Sequence, residues 1–378
     1  MKKIKIVFIM YWLVCGGAEQ ALYDLISLLD KDKFDITIFV EHDTGAWRDK
    51  FMNSGVRVIF DYSCRQPTWN PVKKFGNFIK KEKVKQAWTQ EGRGMMDVCC
   101  PDADIIVSYS TWDSNEIAFS QNAKSVLYVH GDISTNENYR NTILKQLEQL
   151  PRYKKIVCVS QVAAEAFRTV TGIRDTVEMH YNPLNSSHVK QLAEETVSLP
   201  TDEPLICAVG RLAEEKGFDR LVYIHRRLLD QGIRHKLVLV GDGEDRALIE
   251  RMVKTTGTQD SVILAGYQEN PYPYMRQCKF LVNSSYTEGL PVIAMEALCL
   301  GVPIVAPVPS VREAFGEEFC GLITENDTPS LEAGIRRMLT DEELYNRAKA
   351  GAERRSAYFD GKRMVREIED MFEGLMKE

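Results

Sequence analysis

Two carboxylates and two cations stand at spacings from which they could bind hydroxyl groups and an anion. The carboxylates are Glu288 and Glu296, the ends of Glu288-Gly-Leu-Pro-Val-Ile-Ala-Met-Glu296. The apolar run Phe280–Ser285 predicts a buried strand, Thr287 to Leu290 a tight loop around Gly289, and Pro291 the first helical residue. Proline suits that position because the first helical N–H lacks an intrahelical partner anyway. From Pro291 to Leu300 the only polar side chain is Glu296, before Gly301 and Pro303 end the helix. A helix so apolar is buried, and a carboxylate inside it needs a partner. Two readings of Glu296 stand side by side. One is a core salt bridge or a cap for a neighbouring loop. The other is a hydroxyl-binding carboxylate on a helix whose N-terminus attracts anions. Glu288 lies in the loop that feeds this N-terminus, so both carboxylates can face one cleft.

The cations are Arg211 and Lys216, in Gly210-Arg-Leu-Ala-Glu-Glu-Lys216-Gly217 after a predicted strand. Both can reach an anion at the strand's carboxyl edge, where arginine grips phosphate oxygens in a fork. The alternative is two solvated charges on a surface turn, which a basic pair taken alone favours. Gly16-Gly17 sits at a predicted turn into a helix, where two glycines let backbone approach a phosphate or an acceptor. The string Cys-Gly-Gly-Ala-Glu-Gln-Ala lacks the dinucleotide fingerprint G-x-G-x-x-G, which argues against NAD. His130 follows the predicted strand Val126–Tyr128, structural by default but placed where such sheets put ligands. Gly241-Asp-Gly243 is another strand-to-helix turn, structural or cradling part of a nucleotide.

These residues need a scaffold, and the chain supplies the same scaffold twice. Ile4–Ile9, Phe34–Val40, Val58–Phe60, Ile105–Ser108, Val126–Tyr128 and Ile156–Val159 read as strands, with a helix over Ala18–Leu29. The turn-rich stretch Tyr181–Ser187 reads as a linker. The pattern then restarts with strands at Leu205–Val209, Lys236–Val240, Val262–Leu264, Lys279–Asn283, Pro303–Ala306 and Gly321–Ile323. Helices are predicted over Phe218–Leu229, Glu244–Val253 and Tyr358–Lys377. Strand–helix alternation implies parallel sheets with right-handed crossovers. The expectation is an α/β protein of two doubly wound domains facing a cleft: residues 1–182, residues 183–357, and a terminal helix over 358–378.

Composition narrows the class. A chain of 378 residues exceeds one ordinary core. Its 44% hydrophobic and 27% charged content is that of a soluble globular protein. A net charge of −6 argues against general nucleic-acid binding. Nine cysteines without a C-x-x-C pair read as reduced thiols of a cytoplasmic protein. Met1-Lys-Lys and the apolar stretch to Cys15 imitate a signal peptide, but Lys5 interrupts the run, so a first buried strand is expected. No H-E-x-x-H or histidine ligand spacing appears, and Asp102-Ala-Asp104 precedes a strand, which predicts a turn. Lysines 73, 74, 80, 81, 83 and 85 interleave with apolar residues from Val72 to Trp88. That segment reads either as a solvated helix face or as a basic amphipathic surface resting on an anionic bilayer.

The paired glutamates, followed by Ala-Leu-x-x-Gly-Val-Pro, resemble the signature of glycosyltransferase family 4, retaining enzymes of the GT-B fold that use nucleotide sugars. Gly210-Arg-Leu through Lys216-Gly resembles that family's Gly-Arg-Leu-x-x-x-Lys-Gly pattern. The resemblance implies that Arg211 and Lys216 hold the donor diphosphate, Glu288 the donor hexose and Glu296 the ribose. It further implies that Gly289, Leu290 and Pro291 line the sugar site and that Leu264–Gln268, with Tyr267, lies at the nucleobase pocket. Gly16, Gly17, Gly210 and Gly243 would line donor or acceptor, and His130 would contact the transferred sugar. The terminal helix would cross back onto the first domain. Val308–Glu313 departs from the family by lacking its Gly-Gly pair.

The expected function is a retaining, metal-independent hexosyltransferase without a cofactor. Its donor would be a nucleotide diphosphate sugar, UDP-sugars favoured. Its acceptor would be a saccharide or lipid-linked saccharide of cell-surface polysaccharide synthesis. The expected location is cytoplasmic, with peripheral membrane contact through 72–88. A nucleotide-sugar epimerase of the same architecture, or an inactive sugar-nucleotide-binding protein, is the alternative.

Overall fold

A computed structural model of the chain describes residues 2–60, 71, 76, 94–110, 115–199 and 201–377. The basic segment 72–88 thus lies outside the described residues, apart from Gly76. The chain divides into two compact units. Unit 1 comprises Met1–Pro183 with Lys362–Glu378, and unit 2 comprises Leu184–Gly361.

Unit 1 is built on seven parallel strands: β1 Ile4–Met10, β2 Phe34–Val40, β3 Arg57–Phe60, β4 Ile105–Ser110, β5 Lys124–Val129, β6 Lys155–Cys158 and β7 Val177–Met179. Their spatial order is β3-β2-β1-β4-β5-β6-β7. Residues Ile6–Met10 of β1 are buried, as expected of a parallel strand covered on both faces. Lys5 opens that strand: its N–H donates to Asp104 Oδ2 at 2.8 Å and its ammonium pairs with Asp102. The Asp102–Asp104 turn therefore ties together the amino ends of β1 and β4, the edge away from ligands. The helix Gly361–Leu375 returns to this unit. Its Phe372 is fully buried, with ring centroids 6.3 Å from Phe8 and 6.2 Å from Phe34. Glu369 accepts from the Asp30 N–H at 2.8 Å. The sequence placed the helix start at Tyr358, whereas residues 358–360 precede it.

Unit 2 carries six parallel strands: β8 Leu205–Val209, β9 Lys236–Val240, β10 Val262–Gly266, β11 Phe280–Val282, β12 Ile304–Ala306 and β13 Gly321–Ile323. Their order is β10-β9-β8-β11-β12-β13. The helix Phe218–Asp230 covers one face by burying Phe218, Leu221, Val222, Ile224 and Leu228 at helical spacing. In both units the strand order reverses beside the first strand, between β1 and β4 and between β8 and β11. Open α/β sheets bind ligands outside the carboxyl ends of the strands at such a reversal. No disulfide joins the eight described cysteines. No described helix is long and apolar enough to cross a membrane.

Candidate active site

In unit 2 the strand ends are laced together through glycines. Gly241 follows β9 with φ +146°, and a Cβ there would overlap the Gly210 carbonyl oxygen. Gly243 likewise leaves room for Leu212, whose carbonyl would meet its Cβ. The Gly210 N–H donates to Val240 O at 3.0 Å, the Leu212 N–H to Asp242 O at 3.0 Å, and the Gly241 N–H to Gly266 O at 2.8 Å. The carboxyl ends of β8, β9 and β10 thus form one backbone ledge. Arg211 projects from it with a half-exposed side chain, paired with Glu215 and, at 2.9 Å, with Glu244. Tyr267, just past β10, is exposed.

Lys216 and Glu288 meet across the strand-order reversal. Lys216 Nζ lies 2.7 Å from Glu288 Oε1, which also accepts from Ser285 Oγ at 2.7 Å. The segments after β8 and β11 are joined further: Ser284 Oγ donates to Lys216 O at 2.8 Å and the Tyr286 N–H to Glu215 O at 2.9 Å. Arg220, which the sequence reading passes over, is buried at 4% exposure and binds the same loop. Its signal was a basic residue four positions before the buried Ile224, beside the apolar stripe of a predicted helix.

Glu296 lies in the helix Val292–Cys299, and both Glu296 and that helix are buried. Its Oε1 accepts from the Tyr272 hydroxyl at 2.7 Å. The Tyr272 hydroxyl answers part of the need for a partner, and nothing in the spacing of residues 272 and 296 announces it. Pro291 corrects the expectation of a first helical residue. With φ −63° and ψ 119° it is the N-cap, and the helix begins at Val292. Gly289, Leu290 and Pro291 are buried beneath this turn.

In unit 1 the turn after β1 leads to Gly16, the N-cap, and Gly17, the first residue of the helix Gly17–Leu28. Gly16 is extended, with φ −144°. A Cβ there would overlap the Glu19 carboxylate, which would have to shift to make room. His130 follows β5, its ring centroid 4.5 Å from that of Tyr109. One ring nitrogen donates to the Tyr109 main-chain carbonyl, while Nε2 has no partner among the described residues. Burial lowers the His130 pKa to about 4, so the ring is neutral at pH 7. With Nδ1 as donor, Nε2 presents a lone pair. Such a nitrogen receives a hydroxyl proton.

Among the described residues no three histidine, cysteine, aspartate or glutamate side chains come together as a metal site would require. What the site offers is a backbone ledge, two cations held by local carboxylates, and two buried or half-buried glutamates.

Comparison with known proteins gives this geometry a context. Residues 189–355 match the family Glycosyl transferases group 1, and residues 15–188 match Glycosyltransferase Family 4. A relative from Campylobacter jejuni subsp. jejuni serotype O:2 is 26% identical over 373 residues, covering 96% of this chain and 98% of the relative. It is the N-acetylgalactosamine-N,N'-diacetylbacillosaminyl-diphospho-undecaprenol 4-alpha-N-acetylgalactosaminyltransferase. Among solved structures, Anabaena HepE in complex with UDP and glucose aligns with a TM-score of 0.76 at 17% identity, over 98% of this chain and 99% of that one. The pneumococcal O-GlcNAc transferase GtfA, in complex with UDP and GlcNAc, aligns with a TM-score of 0.73 at 13% identity, over 100% of both chains.

Proposed function

The chain belongs to glycosyltransferase family 4, the group 1 glycosyl transferases, and from that premise we propose that it transfers a hexose from a UDP-sugar to a saccharide or lipid-linked saccharide hydroxyl. The observation that carries the reading is the 2.7 Å contact between Lys216 and Glu288 at the β8/β11 reversal. It puts a phosphate-binding cation and a hydroxyl-binding carboxylate side by side, as the junction of a sugar with its diphosphate requires.

In this reading Lys216 turns from Glu288 to the diphosphate as the donor enters. Arg211 exchanges Glu215 and Glu244 for phosphate oxygens, and Glu288 accepts from sugar hydroxyls. Backbone groups of Gly210, Gly243 and Gly289–Pro291 line the donor, Tyr267 stands beside the base, and Glu296 receives the ribose. In unit 1, Nε2 of His130 is the acceptor offered to a substrate hydroxyl, and Gly16-Gly17 offers backbone to a substrate.

Transfer breaks the bond from the anomeric carbon to the diphosphate oxygen, with the electron pair leaving on that oxygen. The acceptor oxygen forms the new bond on the same face, and its proton passes to the departing diphosphate. Positive charge develops on the sugar and negative charge on the leaving group, so preorganised cations lower the barrier. The two cations neutralise the diphosphate, which makes a metal and a cofactor unnecessary. A lipid-linked acceptor accords with the C. jejuni relative's name and with the basic 72–88 sequence, and it would place the protein peripherally on the inner membrane face.

Thermal unfolding against a panel of nucleoside diphosphates and their sugars tests the reading. A ligand at ~100 times its dissociation constant stabilises by about 2.7 kcal/mol. A shift with UDP and one UDP-sugar is expected; no shift with any member overturns the donor assignment. NMR of the product then reads the anomeric configuration, and inversion excludes same-face transfer.

A further inference from the structure

Arg220 is a buried cation used in an unusual way. No carboxylate forms an ion pair with it among the described residues. Its Nε donates to Ser284 O at 2.9 Å, its Nη2 to Ser285 O at 2.9 Å, and its Nη1 to Asn326 Oδ1 at 3.0 Å. The guanidinium carbon lies 4.0 Å from the centroid of the Tyr286 ring. Asn326 closes the circuit, its Nδ2 donating to Tyr286 O at 2.6 Å. One side chain therefore grips three consecutive residues, Ser284 to Tyr286, and two residues further on stands Glu288.

The passage for that side chain is cut by Gly217. Its φ is +62°, and a Cβ there would overlap Ser284 O and lie 2.9 Å from Arg220 Nε. The glycine after Lys216 thus serves the arginine and the loop rather than the phosphate. Burying a guanidinium among neutral oxygens is costly, and an apolar side chain of similar volume serves plain stability as well or better. What the planar fork adds is geometry: several fixed donors define where a backbone must lie.

We propose that Arg220 is a positioning residue that fixes the Ser284–Glu288 loop so that the Glu288 carboxylate is held where the sugar hydroxyls arrive. This rests on the assignment of Glu288 to the donor sugar. Arg220 touches no substrate in this account. It acts through Ser285, whose carbonyl it binds and whose hydroxyl donates to Glu288. It sets sugar handling while leaving nucleotide binding to Arg211, Lys216, Tyr267, Glu296 and the backbone ledge at Gly210 and Gly243.

The test uses the full chain with Arg220→Lys, Arg220→Met and Asn326→Ala. Titration calorimetry measures UDP affinity, and acceptor-free hydrolysis of the UDP-sugar found in the donor panel gives kcat and KM. Thermal unfolding monitors folding. Arg220→Lys is expected to keep UDP affinity within about threefold while kcat falls at least tenfold and KM changes less than kcat. Asn326 is exposed, so Asn326→Ala is expected to melt like the wild type and lower kcat by a smaller factor in the same direction. Unchanged kcat in the folded arginine variants overturns the proposal, as does a loss of UDP affinity in proportion to kcat. If neither arginine variant folds, Asn326→Ala decides, and wild-type kcat there overturns it. If the wild type itself binds neither UDP nor any sugar nucleotide, the donor reading has failed and this proposal falls with it.

Discussion

Unit 2 contains a pair of buried histidines that are hydrogen-bonded to each other and that burial keeps neutral. His225 on the helix Phe218–Asp230 and His235 before β9 are both fully buried. His235 Nδ1 donates to Ile233 O at 3.0 Å, which leaves its Nε2 as acceptor for His225 Nδ1 at 2.8 Å. His225 Nε2 in turn accepts from Ser261 Oγ at 2.9 Å. A proton added to His235 Nε2 sets two donors face to face, and one added to His225 Nε2 costs that nitrogen its role as acceptor from Ser261 Oγ. Burial lowers the His225 pKa to about 3, helped by electrostatic opposition from His235 and from the cations Lys236 and Arg226. Burial also lowers that of His235, against a raising influence from Glu203. The unfolded chain takes up these protons near pH 6.5 and the folded chain does not. Stability is therefore fully present above that pH and is lost as pH falls from about 6.5 toward 3. Between pH 7.5 and 5.0, His225 alone removes about 2 kcal/mol, and His235 adds to it. All five tryptophans precede residue 184, so indole fluorescence does not report on this unit. Hydrogen exchange of the Phe218–Asp230 amides, corrected for intrinsic rates, does. Protection is expected to fall about 30-fold beyond the loss seen in His225→Gln, whose amide can donate to His235 and accept from Ser261 without titrating. Equal pH dependence in wild type and variant refutes the account.

Three further outcomes are expected. Lys216→Ala lowers donor turnover at least about 100-fold, yet costs no more than about 1 kcal/mol in chemical unfolding because its ion pair is partly exposed; parallel losses would make Lys216 structural. Tyr272→Phe leaves the buried Glu296 carboxylate without that donor and lowers unfolding free energy by about 1–3 kcal/mol, and a change below about 0.5 kcal/mol in urea titration would remove Tyr272 as its support. Gly241→Ala forces a Cβ onto the Gly210 carbonyl and is expected to cost more than about 2 kcal/mol, whereas Gly257→Ala, at φ +66° with open space around it, costs about 1 kcal/mol; equal melting shifts would show the ledge to be soft.

Much of the scaffold was legible because parallel strands buried on both faces leave continuous apolar runs. Phe34–Val40, Leu205–Val209 and Lys236–Val240 lie where their residues predict. The three-residue strand Val177–Met179, with a central glutamate, carries no comparable signal. Within the candidate site, local motifs singled out Lys216 and Glu288, each in a loop that follows an apolar strand. Their contact joins residues 72 apart in sequence, and no periodicity expresses that. Tyr272 against Glu296 and Arg220 against Ser284 were hidden for the same reason. A partner supplied by another loop is a property of packing, and an uncharged partner leaves not even a complementary charge to look for. Pro291 shows the smaller kind of miss, one residue of helix start decided by a ψ angle.

The helix Gly361–Leu375 has a consequence for how the protein is made. It buries Phe372, Ile368 and Leu375 in unit 1, yet a ribosome reaches it only after the whole of unit 2. At ordinary elongation rates of roughly 5–20 residues per second, that interval lasts on the order of 10–40 s. Throughout it, the nascent first unit carries the apolar surface of Phe8 and Phe34 without its cover, while unit 2 is synthesised in one uninterrupted piece. The later unit can therefore finish folding before the earlier one, and the waiting face is the natural point of attachment for a chaperone during translation.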